Sequence, residues 1–172
     1  MYTIIQELES NNSRLFKEDI IKREAHEENI DFFEGCKLAL NPMTTFGVKQ
    51  VPERSGPDGH GLRWNEFCDL TDQLMKRKLT GHAARDAINE AMEQSDDYEW
   101  NSWYRRILIK DLRCGVSEKT INNVVKKVNK DYTIPVFKCM LAHDSANHEK
   151  KMVGKKFLDY KLDGVRVITI IL

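Results

Sequence analysis

The spacing of apolar residues in the first 130 positions constrains the fold more than any other feature of the chain. These residues recur every three or four positions, in short segments separated by Asn, Asp, Gly, Pro or Ser. Such spacing puts the apolar side chains on one face of an α-helix. Because each face of this kind has to be buried against another element, we predict a unit of packed helices over residues 1–130.

Several segments have the apolar spacing of an amphipathic helix. They run through Ile4–Leu8, Leu15–Ile21, Ile30–Leu40, Trp64–Met75, Ala84–Met92, Trp100–Leu112 and Ile121–Val128. Ser13 and Ser117 are predicted to cap the second and the last of these helices, and either Asp96 or Asp97 is predicted to cap the sixth. The sixth helix is expected to end at Gly115, since glycine is typical of a helix terminus.

Two connections between the predicted helices have a distinctive composition. Residues 44–61 are rich in glycine and proline, which predicts a long loop that is either functional or partly mobile. Residues 76–84 begin with three cations and continue through Gly81 and small residues. This second segment predicts a tight junction between two helices.

The pattern changes after Asn129. Pro135 lies in a segment that we expect to be extended and irregular, and residues 143–151 are polar and predict a loop. Residues 157–171 are rich in β-branched side chains, which predicts one or two strands around Gly164. We therefore predict a mainly α chain in three parts: a helical domain at 1–130, a linker and domain entry at 131–155, and the first β-strands of a truncated second domain at 156–172.

The charge of the chain is unevenly distributed, although the formal net charge is zero. Residues 1–100 hold 12 Lys and Arg against 20 Asp and Glu, a net charge of −8. Residues 101–172 hold 15 Lys and Arg against 7 Asp and Glu, a net charge of +8. A basic second part favours a polyanion that is met by one face of the protein. The alternative is an ordinary solvated helix face.

The composition also indicates in which cellular compartment the protein is expected. Cys36, Cys68, Cys114 and Cys139 occur without C-x-x-C spacing, so we interpret them as reduced, mostly buried thiols. The N-terminus lacks the basic and apolar regions of a secretion signal. No stretch approaches the roughly 20 apolar residues of a membrane span. We expect a cytoplasmic protein without a membrane partner, in the host cytoplasm if the protein is viral.

A K-x-D-G-x-R pattern at Lys161–Arg166 is the main chemical feature of the sequence. A lysine amine is normally protonated at neutral pH, with a pKa of about 10.4, but burial or nearby cations expose its lone pair. Such an amine attacks the α-phosphate of a nucleotide, giving a phosphoramidate and pyrophosphate. Asp-Gly is also a common hairpin turn, so a solvated hairpin with exposed Lys161 and Arg166 is the alternative.

Together with three upstream segments, this pattern resembles a known family. Lys161–Arg166 is similar to the first nucleotidyltransferase motif of ATP-dependent DNA ligases, most like those of large DNA bacteriophages. Leu79–Ala84 resembles the glycine turn of their helical DNA-binding domain, and Arg105–Ser117 resembles the R-D-L-R-x-G-type segment before its final helix. Pro135 with Met140–Ala142 is similar to the P-M-L-A linker into the adenylation domain. Order and spacing match over nearly the whole chain.

The resemblance implies roles for particular residues. Lys161 would be the catalytic residue that accepts the adenylate from ATP, and the nucleotide-binding set would be Asp159, Lys161, Asp163 and Arg166. The residues that would grip a nicked DNA duplex are Lys78, Gly81, His82, Lys110, Arg113, Gly115, Ser117 and Lys119. Mg²⁺ would serve the adenylation step, with its ligands expected outside this chain.

The later motifs and the oligonucleotide-binding-fold domain of the family would lie beyond Leu172. We therefore expect a piece of a longer ligase, or one half of a split enzyme that a second chain completes, and we expect it to be inactive alone. One alternative is a stand-alone helical DNA-binding module without chemistry. Another is an RNA ligase or messenger-RNA capping enzyme, since both share the K-x-D-G core, although the long helical region argues against it.

Overall fold

The structure is a computed structural model and describes residues 1–136, 153–155 and 157. The chain divides into two compact units, Met1–Phe137 and Lys138–Leu172. The described part of the first unit is built from helices and connecting loops. Mainly helical architecture is therefore confirmed for this part. The strands predicted within 157–171 lie outside the described residues, apart from Phe157.

The helices follow the predicted order. Their bounds are Tyr2–Ser10 (α1), Arg14–His26 (α2), Ile30–Leu40 (α3), Trp64–Met75 (α4), Gly81–Gln94 (α5), Asp97–Glu99 (α6), Arg105–Leu108 (α7) and Glu118–Val128 (α8). A π-helical segment, Trp100–Tyr104, joins α6 to α7, and a 3₁₀ turn, Lys130–Tyr132, follows α8. In the described range, no helix combines the length and apolar character that crossing a membrane requires.

The core is centred on aromatic side chains of α3, α4 and the π-helical segment. Phe32, Phe67, Trp100 and Trp103 are almost completely buried. The rings of Phe32 and Trp103 are stacked, with centroids 6.0 Å apart. Gly35 has no room for a side chain because the Trp103 ring lies directly against it. Through this contact, α3 packs closely against the segment that leads into α7.

The helix caps agree with the predictions at two of three positions. Ser117 accepts a hydrogen bond from the Thr120 amide at the start of α8, and Asp96 accepts one from the Glu99 amide at the start of α6. Ser13 occupies the N-cap position of α2 but makes no side-chain cap. Its own amide instead donates to Asn11 Oδ1 over 2.8 Å. The predicted Ser13 cap is therefore wrong, because the Asn11 side chain organises that turn.

The helix predicted to end at Gly115 ends at Leu108 instead. The chain then turns, with Lys110 and Arg113 in the left-handed region at φ 62° and 54°. The apolar spacing predicted a longer helix because Leu112 is buried, as a residue on the inner face of a helix would be. Leu112 lies instead in the turn. Leu15 was also expected on the apolar face of α2, yet it is 72% exposed.

The long loop between α3 and α4, residues 41–63, is attached to the rest of the unit by hydrogen bonds. Side chains of the segment from Trp100 to Arg105 donate to its backbone, which places the loop across that segment. Trp100, Asn101, Tyr104 and Arg105 donate to the carbonyls of Pro52, Arg54, Leu62 and Val51 over 2.8–3.0 Å. The predicted loop is confirmed, and the amides of Gly59 and Gly61 also bind it to the carbonyls of Ser95 and Gln94 at the end of α5.

Candidate nucleic-acid interface

A groove runs between the N-terminal half of α5, the loop segment 47–52 and the turn that follows α7. Its two halves share the residues Lys49, Gln50, Pro52 and Arg85, so they form one continuous surface. The first half reaches Gly81 and His82 at the start of α5. The second half reaches Asp111 and Arg113 in the turn. The groove therefore joins two parts of the chain that lie about 30 positions apart.

Positive charge dominates the groove. Lys49 and Arg85 are exposed, and no carboxylate among the described residues pairs with either. Arg105 is half-buried and lies 3.2 Å from Glu53 Oε1. Arg113 lies 3.9 Å from the Asp111 carboxylate, too far for a strong hydrogen bond. This excess of cations produces a positive potential that attracts anions. Because the groove is elongated, it suits an extended anion.

The junction between α4 and α5 leads into the groove at Gly81, the first residue of α5. Arg77 takes a left-handed conformation at φ 58°, and Gly81 does so at φ 57°. The Arg77 guanidinium lies against Gly47 of the loop, whose φ of 68° is itself in the left-handed region. Open space surrounds the position of a Gly81 side chain, so glycine is required there by the backbone angle and not by crowding.

Three of the residues expected to bind DNA line this groove: Gly81, His82 and Arg113. Lys78 is exposed on the α4–α5 junction but does not line the groove. The remaining exposed members of the set follow Arg113 along the chain into the first turn of α8, outside the groove lining. They are Gly115, Ser117 and Lys119.

The ammonium group of Lys110, another residue expected to bind DNA, points into the protein. Its Nζ donates to the Leu38 and Asn41 carbonyls over 2.8 and 2.7 Å. It also lies 5.8 Å from the centre of the Phe46 ring. Burial lowers the pKa of Lys110 to about 8. The structure thus places the Lys110 ammonium as an internal link between α3 and the turn, and the expected part of Lys110 in gripping DNA stays a prediction.

Three groove cations were absent from the sequence-based set: Lys49, Arg85 and Arg105. Arg85 lies one helical turn after Gly81, so the period of α5 could have placed it beside the glycine turn. Lys49 lies in the irregular loop, and no local pattern relates it to α5 or to the turn. Only the packing of the loop brings it to the groove.

The residues expected to bind the nucleotide lie outside the described part of the chain. These are Asp159, Lys161, Asp163 and Arg166. Among the described residues, no group of three or more His, Cys, Asp or Glu side chains is arranged to hold a metal ion.

Comparison with known proteins gives matches among solved structures. A structure named Pmar-Lig_PreS3 has 57% sequence identity and a TM-score of 0.80, over 89% of this chain and 35% of its own. A second, named Pmar-Lig_Pre., has 56% identity with the same TM-score and coverage. This chain therefore spans about a third of the length of the structures it matches. No family model and no curated protein matches it.

Proposed function

We propose that the helical unit binds duplex DNA at a nick through the basic groove, as the DNA-binding part of an ATP-dependent DNA ligase. One observation carries this proposal. Gly81–His82 and Asp111–Arg113 belong to the two helical-domain segments that resemble such ligases, and they line one groove although they are far apart in sequence. A shared groove is what a common duplex-binding role for both segments requires.

The chemistry of the groove suits a ligand without a fixed sequence. Lys49, Arg85 and Arg113 offer charged donors to phosphate groups, which every nucleotide step presents. An enzyme that seals nicks at any position has to grip the backbone of the duplex. Contacts to phosphate position the protein without reading bases, so cations on a groove fit this task.

The names and identities of the similar structures support the same proposal. Both names contain the element "Lig". Sequence identity above one half over 89% of this chain supports a shared fold and a similar binding surface. Since this chain spans about a third of those structures, the remaining parts of a ligase would lie in a longer protein or in a second chain.

In that longer protein, Lys161 would carry the chemistry, within an adenylation domain whose first strands are expected at 156–172. Its amine attacks the α-phosphorus of ATP and forms a P–N bond while pyrophosphate leaves. The adenylyl group then passes to the 5′-phosphate of the nick and frees the lysine. The 3′-hydroxyl finally attacks that phosphate, and AMP leaves. Asp159, Asp163 and Arg166 would hold the nucleotide, and Mg²⁺ would neutralise its phosphates.

The binding proposal is tested with a fluorescently labelled duplex. Anisotropy titrations would compare nicked and intact duplexes of the same sequence with the wild-type chain and the double variant Arg85→Ala/Arg113→Ala. We expect tighter binding to the nicked duplex and a loss of binding in the double variant. Lys22→Ala is the matched control, since Lys22 is an exposed cation of α2 outside the groove. Equal binding by all three proteins would contradict the proposal.

A stand-alone DNA-binding module is the second candidate, and the compact Met1–Phe137 unit with its own core favours it. Incubation with ATP labelled at the α-phosphate separates the two roles. We expect no covalent label on residues 1–172, because the later motifs of the family are absent from this sequence. In the longer protein we expect labelling that Lys161→Ala abolishes. An unlabelled long protein would favour the module.

A further inference from the structure

Two buried or half-buried cations hold the backbone on either side of Arg113. Lys17 of α2 donates from Nζ to the Cys114 carbonyl over 2.7 Å, across 97 positions of sequence. Arg106 of α7 donates to the Leu112 carbonyl over 2.9 Å. Lys17 is only 5% exposed, so its ammonium group is withdrawn from the solvent. The carbonyl groups of the residues before and after Arg113 are therefore both anchored by charged hydrogen bonds.

Arg113 itself has a backbone conformation that residues with side chains seldom adopt. Its φ is 54°, in the left-handed region, where the Cβ atom crowds the following carbonyl oxygen. Such a conformation persists only when the surroundings fix it. Asp111 contributes by accepting a hydrogen bond from the Arg113 amide over 3.0 Å. The flanking carbonyl bonds supply the remaining constraint.

Gly115 shows how closely Lys17 is fitted to this turn. Its φ is 65°, and a side chain on it would place Cβ 2.5 Å from the Lys17 ammonium nitrogen. A glycine at this position thus leaves space for the lysine to reach the Cys114 carbonyl. A side chain at Gly115 would also strain the left-handed backbone, so a substitution there would not isolate this bond.

We propose that Lys17, assisted by Arg106, is a positioning residue that aims Arg113 into the DNA-binding groove without touching DNA. This inference rests on the proposed function, since it assigns a cause to the geometry of that same groove. Lys17 is buried on α2, and no residue of α2 lines the groove. Its effect on a duplex therefore passes through the turn. The role of Lys17 should then vanish when Arg113 is absent.

A double-mutant cycle tests this dependence. Affinity for a nicked duplex would be measured by anisotropy for the wild type, Lys17→Met, Arg113→Ala and the combined variant, with thermal melting of each. We expect Lys17→Met and Arg113→Ala each to weaken binding about tenfold, the loss expected for one charged hydrogen bond. The combined variant should bind no more weakly than Arg113→Ala alone. Lys22→Met, an exposed lysine on the same helix, should leave affinity unchanged.

Other outcomes would overturn the inference. Additive losses would mean that Lys17 contacts DNA by a separate route. A lower melting temperature with wild-type affinity would mean that Lys17 serves stability alone. If Lys17→Met fails to fold, Lys17→Gln takes its place in the same cycle, because it removes the charge and keeps a neutral donor at this position. If the wild-type protein does not bind nicked duplex, the proposed function itself is refuted. That result is distinct from the outcomes that overturn the role of Lys17.

Discussion

The Lys110 ammonium links the end of α3 to the turn after α7 through two backbone carbonyls. Burial lowers its pKa from 10.5 to about 8. Between these two values the unfolded chain binds more protons than the folded protein does. The free energy of unfolding therefore rises with pH in this window, as far as Lys110 contributes. Below pH 8 both states carry the proton, so the cost of burying the charge is fully present.

Comparison of the wild type with Lys110→Met checks this sign. We expect the wild type to gain stability relative to the variant as the pH rises from about 8 to about 10, on top of a constant offset from the lost hydrogen bonds. Thermal melting of both proteins at several pH values measures the difference. Burial raises the pKa of Cys68 to about 11 and acts in the opposite direction, but it is common to both proteins and cancels. A difference that is flat or falls with pH would contradict the prediction.

Asn122 is a buried polar residue of α8 whose side chain makes two hydrogen bonds to the backbone of Ile134. Its amide nitrogen donates to the Ile134 carbonyl over 2.9 Å, and its oxygen accepts from the Ile134 amide over 2.8 Å. The side chain thereby pairs with the extended segment after the 3₁₀ turn as a strand would. Both backbone groups of Ile134 depend on it.

Asn122→Ala should lower the free energy of unfolding by about 2–3 kcal/mol, because it leaves a buried donor and a buried acceptor without partners. Asn123→Ala is the matched control, since Asn123 is the next residue of α8 and is exposed. It should cost less than about 0.5 kcal/mol. Urea denaturation measures both, and similar losses in the two variants would argue against the role of the Asn122 pair.

Among the elements, the π-helical segment helps to position one side of the groove. Its side chains, with those of α7, hold the backbone of the long loop, and the loop carries Lys49. Tyr104 makes one of these bonds from a buried position, donating its hydroxyl to the Leu62 carbonyl over 2.8 Å. The loop is thus positioned from within the core, although it has no regular secondary structure.

Tyr104→Phe should destabilise the protein by about 1–2 kcal/mol, since the Leu62 carbonyl loses its donor while the ring still fills the core. We also expect faster hydrogen exchange in residues 41–63, followed by mass spectrometry. Tyr98→Phe serves as the control, because Tyr98 is 63% exposed. Unchanged exchange in the loop would indicate that the other bonds of this segment suffice.

For the whole molecule, a formal net charge of zero gives little long-range attraction to DNA. Binding should therefore depend on the local excess of cations in the groove and on counterions released from the duplex. The logarithm of the affinity should fall linearly with the logarithm of the salt concentration, with a slope of about −0.9 for each phosphate contacted.

Arg85→Ala should reduce the magnitude of that slope by about one, since the exposed Arg85 guanidinium is placed to neutralise one phosphate. Lys22→Ala should leave it unchanged. Anisotropy titrations at four or more salt concentrations measure both slopes. A slope near zero for the wild type, or an equal slope for Arg85→Ala, would mean that the groove is not where phosphate is held.

Helix positions could be predicted because helical periodicity is a local property. The apolar residues that mark α4 and α5 lie three or four positions apart, and the structure has both helices where that spacing predicts them. The prediction failed after Leu108, where Leu112 is buried from a turn. Periodicity reports which residues are buried but not whether the backbone between them continues as a helix.

The sequence by itself determined the mainly helical architecture of the described unit, and its motifs pointed to the segments around Gly81 and Arg113. Only the tertiary structure decided which cations face the groove and which face inward. Lys17 and Lys110 bind carbonyls from residues 69 to 97 positions away, whereas Arg85 stays at the surface. A cation's direction depends on these distant neighbours, because an ammonium group can be buried only where the fold supplies acceptors for it.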